Sequence, residues 1–230
     1  MIPFYLRFIK KFPTAQRLAE ANLSEVLKSW QGLGYNRRAK LLREAAQQLI
    51  CTPSFGTRFN LIIELEKLSG VGPYTARAIA AFAYNQDTNV IETNIRTVVI
   101  HHFFPNWTEK VSDVDIADVL ARVLPKGKSR EWYSALMDYG AYLKRSGVSH
   151  NAQSKMYAKQ SKFAGSPREA RGAILRVLMA SELGLSSRQL FARVEEVVGA
   201  SRREQIVCAI DTLHAEGLIQ KKRGHYALAD

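Results

Sequence analysis

The stretch LSGVGPYTARAIAAF, residues 68–82, places two glycines just before a mostly apolar run. Gly70 and Gly72 permit backbone conformations that are costly for other residues, so the chain can reverse between two helices within a few positions. Pro73 suits the first turn of the next helix, where its missing N–H is no loss. Such a turn exposes N–H groups at a helix N-terminus, which favours a bound phosphate. The stretch predicts a hairpin between helices that presents its backbone to an anion, with a plain helix–helix connection as the alternative.

Apolar residues recur at helical spacing along most of the 230 residues, and no strand alternation is sustained before the last dozen. An all-α fold is therefore expected. After shorter helices in the first part of the chain, the pattern predicts helices at about residues 74–84, 94–104, 113–123 and 130–144.

The second half of the chain changes in character after residue 144. Residues 145–166 carry four basic residues, no acidic residue and no hydrophobic period, which predicts a linker. Residues 167–230 show three helical patterns and then two short strands, the order of a winged helix-turn-helix. A helical dimerisation module is the alternative. The predicted organisation is a domain at 1–144, a basic linker at 145–166 and a small winged-helix-like domain at 167–230.

The net charge of the chain is +12, and most of it lies in the first 164 residues, which carry 23 basic and 13 acidic residues. This excess favours a polyanionic partner such as nucleic acid, with a solvated basic face as the alternative. The N-terminal sequence lacks the pattern of a signal peptide, and no apolar run is long enough to span a bilayer. Cys51 and Cys208 fit no metal or redox spacing, so we expect reduced core thiols in a cytoplasmic protein with no membrane partner.

Three segments together resemble one family. The hairpin stretch, the segment VIETNIRTV about twenty residues later and the upstream segment WQGLGYNRRAK are similar to the helix-hairpin-helix DNA glycosylases, most of all to the A/G-mismatch adenine glycosylases. The resemblance covers residues 1–144. It implies a helix-hairpin-helix glycosylase fold and a base excision repair enzyme that flips a base out of the duplex and hydrolyses its N-glycosidic bond. The implied partner is double-stranded DNA with a mismatched or damaged base, bound by a monomer.

The resemblance also implies roles for three catalytic-site residues. Breaking the N-glycosidic bond develops positive charge on the sugar, which a fixed carboxylate stabilises. Glu92 occupies that carboxylate position, where the family has Asp, and Asn94 matches a residue that orients it. A helix-start charge is the alternative for Glu92, and an N-cap is the alternative for Asn94. Tyr74 stands where lyase-type relatives carry a Schiff-base lysine, so a monofunctional hydrolase is expected.

Two stretches are expected to face DNA, although a solvated basic loop is the alternative for the second. Their residues are Gly70, Gly72, Pro73 and Thr75 in the hairpin, and Gly32, Gly34, Tyr35, Arg37 and Arg38 in GLGYNRR. The backbone carbonyls of Glu66, Leu68 and Val71 are expected to hold a Na⁺ or K⁺ ion that bridges to phosphate.

The sequence departs from the family pattern in three places. No cysteine follows LMDYGA, so no iron–sulfur cluster is expected. The predicted winged helix replaces the domain that reads 8-oxoguanine in adenine-removing members. The family's catalytic Glu lies upstream of the segment matched by MIPFYLRF, so the glycosylase domain is expected to be N-terminally incomplete, or another residue substitutes.

The base that the family excises is adenine in A:G or A:8-oxoguanine mismatches, and this is the substrate expected here. Tyrosine at position 74 occurs in both adenine-removing and thymine-mismatch relatives. A thymine or uracil mismatch glycosylase is therefore one alternative. A catalytically weak or inactive DNA-binding protein is the other.

Overall fold

A computed structural model of the chain describes residues 2–52, 61–181 and 183–230. Its contacts form two compact units. The first contains the described residues of Met1–Pro53, Leu68–Gly70 and Gln160–Asp230, and the second contains those of Ser54–Lys67 and Val71–Lys159. The bounds of these compact units differ from those of the domains predicted at 1–144 and 167–230. The domain boundaries stay a prediction.

Helices dominate the described residues, which confirms the all-α fold class. The helices are α1 (Ile2–Lys11), α2 (Ala15–Glu20), α3 (Leu23–Trp30), α4 (Arg37–Ile50), α5 (Leu61–Glu66), α6 (Pro73–Tyr84), α7 (Thr93–Phe103), α8 (Asp113–Val123), α9 (Ser129–Arg145), α10 (Pro167–Met179), α11 (Ser187–Val198) and α12 (Arg203–Ala215). The strands are β1 (Leu185–Ser186), β2 (Ile219–Lys222) and β3 (His225–Leu228). No described helix has both the length and the apolar character that a membrane span requires.

In the first unit, α1–α4 and α10–α12 contribute to one hydrophobic core. The strands form a small antiparallel sheet in the order β1-β3-β2, in which Ile219 lies opposite Leu228 and Leu185 opposite Tyr226. The sequence predicted two strands after three helices. It missed β1, because a strand of two residues is too short to show an alternating pattern.

In the second unit, α7 packs along α9 around a separate core that includes Ile95, Ile100 and Tyr133. Small residues allow the helices to approach. Ala76, Ala80 and Ala81 are buried on α6. A Cβ atom on Gly140 of α9 would lie 2.3 Å from the backbone oxygen of Asn94. The first turn of α7 is therefore fixed against the middle of α9.

The structure corrects one expectation about the cysteines. Cys51 and Cys208 are both free, but both are exposed rather than in a core. Cys51 is the C-terminal cap of α4 and Cys208 lies on the outer face of α12, so neither reaches a buried side of its helix.

The predicted linker at 145–166 contains no α-helix beyond Arg145, where α9 ends. It does not simply cross the surface, because Ser154 pairs with Val111 as an isolated β-bridge of the second unit. The N–H of Lys155 donates to the Val111 oxygen at 2.9 Å, and the N–H of Val111 donates to the Gln153 oxygen at 2.8 Å.

Candidate active site

Glu92 is the N-cap residue of α7. Its Oε1 accepts hydrogen bonds from the backbone N–H groups of Asn94 at 2.7 Å and Ile95 at 3.0 Å, and its Oε2 accepts from the Thr93 hydroxyl at 3.0 Å. These donors immobilise a carboxylate at the positive end of a helix. The cap that was the alternative interpretation of Glu92 is therefore present. It is also the means by which a carboxylate would be held rigidly enough for catalysis.

Two further groups lie within electrostatic reach of Glu92. Partial burial and the Glu92 carboxylate raise the pKa of the Tyr74 hydroxyl above its usual 10.0, against an opposing effect of Arg96. Arg96 is itself fixed by a bidentate ion pair with Asp113, at 2.9 and 2.7 Å. Hydrogen bonding to Asp113 is the main cause that raises the pKa of Arg96. At neutral pH the cluster thus combines a protonated phenol with a permanent cation.

Lys144, on α9, was missed in the sequence analysis. Its ammonium donates a hydrogen bond of 2.7 Å to Oδ1 of Asn94. Burial lowers the pKa of Lys144, and the nearby Glu92 carboxylate opposes that effect. Asn94 is therefore not the N-cap of α7: its backbone N–H binds Glu92 while its side chain binds Lys144.

The predicted hairpin ends at Gly72, the N-cap of α6, and Pro73 is the first residue of that helix. Gly70 has the left-handed backbone, φ +75°, that favours glycine. Gly72 is different, since its φ of −89° and ψ of 178° are open to any residue. A Cβ atom at Gly72 would meet nothing within 4 Å. Glycine at this position would therefore serve to leave open space in front of the backbone, and not to allow an unusual backbone conformation.

The first turn of α6 retains free donors. Among the hydrogen bonds of the described residues, none uses the backbone N–H of Tyr74 or Thr75, whereas the N–H of Ala76 donates to the Gly72 oxygen at 2.9 Å. Gly72, Pro73 and Tyr74 are exposed. Two free N–H groups at an exposed helix N-terminus are the arrangement that the sequence predicted for phosphate.

The ion predicted at the carbonyls of Glu66, Leu68 and Val71 stays a prediction, and so does the expected lack of an iron–sulfur cluster. Glu66 is the last residue of α5, and the other two residues lie between α5 and α6. The described residues include no group of three or more His, Cys, Asp or Glu side chains placed to hold a metal.

The GLGYNRR segment, residues 32–38, forms the loop after α3 and the first two residues of α4 in the first unit. Gly32, Gly34 and Tyr35 all have positive φ, +93°, +68° and +50°. The strained backbone of Tyr35 is held by neighbours, because the Trp30 indole N–H donates to the Gly34 oxygen at 3.0 Å and the Gln160 amide donates to the Tyr35 hydroxyl at 2.8 Å.

Basic and aromatic groups of this segment are close together. The Arg38 guanidinium lies 5.0 Å from the centre of the Tyr35 ring, within cation–π distance. Tyr35 is 63% exposed, and Arg37 is also exposed. A fixed exposed aromatic ring beside two arginines is typical of a surface that meets nucleic acid.

Comparison with known proteins finds similarity to base excision repair proteins. The profile of the HhH-GPD superfamily, described as base excision DNA repair proteins, matches residues 1–120. The adenine DNA glycosylase of Mycolicibacterium smegmatis is 31% identical, over 99% of this chain and 81% of the relative.

Two other relatives define how far the similarity extends. The adenine DNA glycosylase of Mycobacterium tuberculosis strain H37Rv is 30% identical over 96% of this chain and 77% of its own length. That of Rattus norvegicus is 32% identical over 61% of this chain and 28% of its own length. The mycobacterial similarity therefore continues through α10–α12, whereas the shorter rat match covers only part of the chain.

Proposed function

The chain belongs to the helix-hairpin-helix (HhH-GPD) superfamily of base excision DNA repair proteins, and we propose that it is a DNA N-glycosylase that hydrolytically removes adenine from mismatched double-stranded DNA. Adenine glycosylases about 30% identical over nearly the whole chain support the activity and the base. The observation that carries the proposal is the carboxylate of Glu92, held by two N–H donors at the start of α7.

The target adenine must first flip out of the base stack. This unstacking costs a few kcal/mol and is easiest at a mismatch. The bond between the sugar C1′ and adenine then breaks, and its electron pair leaves with the base, which takes up a proton. Water adds to C1′ and releases a proton, which balances the proton that the base takes up, and an abasic site remains. Positive charge develops on the sugar as the bond breaks, and the ionised carboxylate of Glu92 stabilises it.

The rigidity of Glu92 matters for this role. A preorganised carboxylate needs no reorientation as charge develops, so its interaction is stronger in the transition state than in the ground state. Glu is one methylene longer than the Asp of the family. Here the hydrogen bonds from Asn94, Ile95 and Thr93 fix both oxygens of that longer side chain.

The groups around Glu92 support hydrolysis without strand cleavage. A lyase forms a Schiff base between a lysine amine and C1′. Tyr74 carries no amine, and its raised pKa keeps the phenol protonated at neutral pH. The amine of Lys144 is engaged with Asn94. Water is therefore the nucleophile of this proposal, acting in a complex of one protein molecule with one mismatched duplex.

Replacing Glu92 by Gln tests the proposal, because Gln keeps the side-chain length but has no charge to offset the cationic sugar. Single-turnover excision from an A:8-oxoguanine duplex should fall by roughly 10² to 10⁴, the range for one positioned catalytic group, while duplex affinity stays unchanged. Glu131→Gln is the control, since Glu131 is an exposed glutamate in the first turn of α9. Equal excision by Glu92→Gln and the parent would refute the role of Glu92.

A further inference from the structure

A cavity of about 580 Å³ opens in the first unit, with the loop after α3 and the start of α4 on one side and one face of α10 on the other. Such a volume lies within the roughly 300–1,000 Å³ of sites that take small organic groups. Of these two walls, the resemblance assigned DNA contacts only to the one that contains the GLGYNRR stretch. The wall formed by α10 belongs to the part of the chain for which the sequence predicted only a winged helix.

The cavity lining is strongly basic. Its described residues include Arg37 and Arg38 from the first turn of α4, Arg168, Arg171 and Arg176 from α10, and no acidic residue. Arg171 is neutralised by Glu216, at 2.6 Å. Arg37 and Arg176, by contrast, have no ion pair or side-chain hydrogen bond within the described chain. Arginines gathered without carboxylates around a concave surface attract anions, above all phosphate.

The rest of the lining is apolar and aromatic. Leu41 lies on α4, Leu175 and Met179 lie on α10, and Phe163 lies just before α10. The exposed ring of Tyr35 adds a second aromatic face. A ligand that suits both parts of this lining has a flat apolar portion and a phosphate, and this combination describes a nucleotide.

Gly172, which lines the cavity, supports a binding role for it. It lies inside α10, where glycine is less stable than alanine. A Cβ atom at Gly172 would meet nothing within 4 Å, so packing of the fold does not require glycine there. The missing side chain keeps the cavity wall open.

We propose that this cavity binds one unstacked nucleotide of a DNA strand, with its base against the apolar lining and its phosphate at Arg37 and Arg176. A DNA strand fits better than a free mononucleotide because four arginines other than the paired Arg171 line the cavity. A single phosphate would leave part of this charge uncompensated, whereas consecutive phosphates of a strand would neutralise it. The inference rests on the proposed function, since it takes DNA as the substrate.

Filling the cavity tests the inference directly. In the full-length chain, Gly172→Leu places a side chain in the open space, and Gly172→Ala is the matched control that changes the helix without filling the cavity. Fluorescence anisotropy would give the dissociation constants for a labelled A:8-oxoguanine duplex and a labelled single strand, with thermal melting to verify that each variant folds. Gly172→Leu should weaken binding to both DNAs by about tenfold, the effect of losing one stacked base, and Gly172→Ala should not. Parent-like affinity of Gly172→Leu would overturn the inference.

Charge removal gives a second measurement. Arg176→Ala should lower the slope of log affinity against log salt by about 0.9, the value for one lost phosphate contact. Arg203→Ala is the control, because Arg203 lies on α12 and does not line the cavity. An unchanged salt slope in Arg176→Ala would contradict a phosphate at that arginine.

Competition by deoxyadenosine monophosphate identifies the source of the nucleotide. The decisive result would be that millimolar deoxyadenosine monophosphate binds the parent and not Gly172→Leu, while both proteins bind DNA equally. That result would assign the cavity to free nucleotides and overturn the proposal. These binding measurements do not depend on excision. If the parent excises adenine and Gly172→Leu binds DNA as tightly as the parent, only the cavity proposal is wrong. If Gly172→Leu weakens DNA binding but the parent does not excise adenine, only the glycosylase proposal is wrong.

Discussion

Lys144 donates a hydrogen bond from its ammonium to the side-chain oxygen of Asn94, across 50 residues of sequence and 2.7 Å of space. The contact joins α9 to the turn of α7 whose backbone holds Glu92. Lys144→Met should therefore lower single-turnover excision by roughly 10², the cost of a small displacement in a catalytic site. Lys144→Arg, which keeps the charge, should retain most of the rate. Lys159→Met is the control at an exposed lysine.

The pH dependence separates this role from simple packing. Burial lowers the pKa of Lys144 below its usual 10.5, so the ammonium loses its proton at a lower pH than an ordinary lysine. The parent rate should therefore fall on the alkaline side before pH 10.5, and Lys144→Arg should shift that fall to higher pH. Identical alkaline limbs in parent and Lys144→Arg would show that the charge of Lys144 does not act on the site.

Gly72→Val tests whether the start of α6 binds phosphate. The extended backbone of Gly72 accepts valine, and its Cβ atom meets no neighbour, so the melting temperature should stay close to that of the parent. The branched side chain would keep phosphate away from the free N–H groups and weaken duplex binding by roughly tenfold, about the net value of one charged hydrogen bond. Gly72→Ala should have a smaller effect. Undiminished affinity in Gly72→Val would leave the hairpin as a structural connection only.

Gly140→Ala should destabilise the protein, because its Cβ atom would lie 2.3 Å from the backbone oxygen of Asn94. Forcing α7 and α9 apart costs about 1–3 kcal/mol of unfolding free energy, as other overpacked cores do. Gly172→Ala provides the opposite case, since that Cβ atom meets open space and alanine favours a helix by about 1 kcal/mol. Chemical denaturation of both variants measures the difference, and equal stabilities would contradict the close packing of α7 and α9.

Asp87 should make stability depend on pH in the acid range. The Gly127 N–H, and next the Ser129 hydroxyl, hold the pKa of Asp87 below its usual 3.8. The folded state thus binds this proton less readily than the unfolded state, so the stabilisation is present above the unfolded pKa and is lost as pH falls through the folded pKa. The parent melting temperature should fall more steeply than that of Asp87→Asn between about pH 5 and pH 3. Asp138→Asn is the control, at an exposed residue with no described partner, and its melting temperature should depend on pH as that of the parent does. Equal pH dependence of the melting temperature in the parent and Asp87→Asn would show that Asp87 does not contribute in this way.

The sequence predicted the helices well because their signals are local. The helix expected at 74–84 is Pro73–Tyr84, and the one expected at 113–123 has those bounds, since apolar spacing and caps lie within each segment. Contacts between distant residues could not be read in this way. The pairing of Lys144 with Asn94 depends on how α9 crosses α7, which no single stretch encodes.

The cavity is the clearest case of that limit. Arg37 and Arg176 lie far apart in the sequence, and only the packing of α10 in the same compact unit as α4 brings them to one lining. The sequence identified the GLGYNRR stretch through its resemblance to a family. It contained no local signal that α10 would form the other wall.

Excision measured on a set of mismatched duplexes tests whether the chain is an adenine glycosylase that acts by hydrolysis. The parent chain is incubated under single-turnover conditions with A:8-oxoguanine, A:G, T:G and U:G duplexes, and each sample is divided and analysed with and without heat and alkali. Cleavage is expected at the adenine of the first two duplexes, only after heat and alkali, because hydrolysis leaves an abasic site in an intact strand. Cleavage confined to T:G or U:G, strand breaks before alkali, or no abasic site in any duplex would contradict this function.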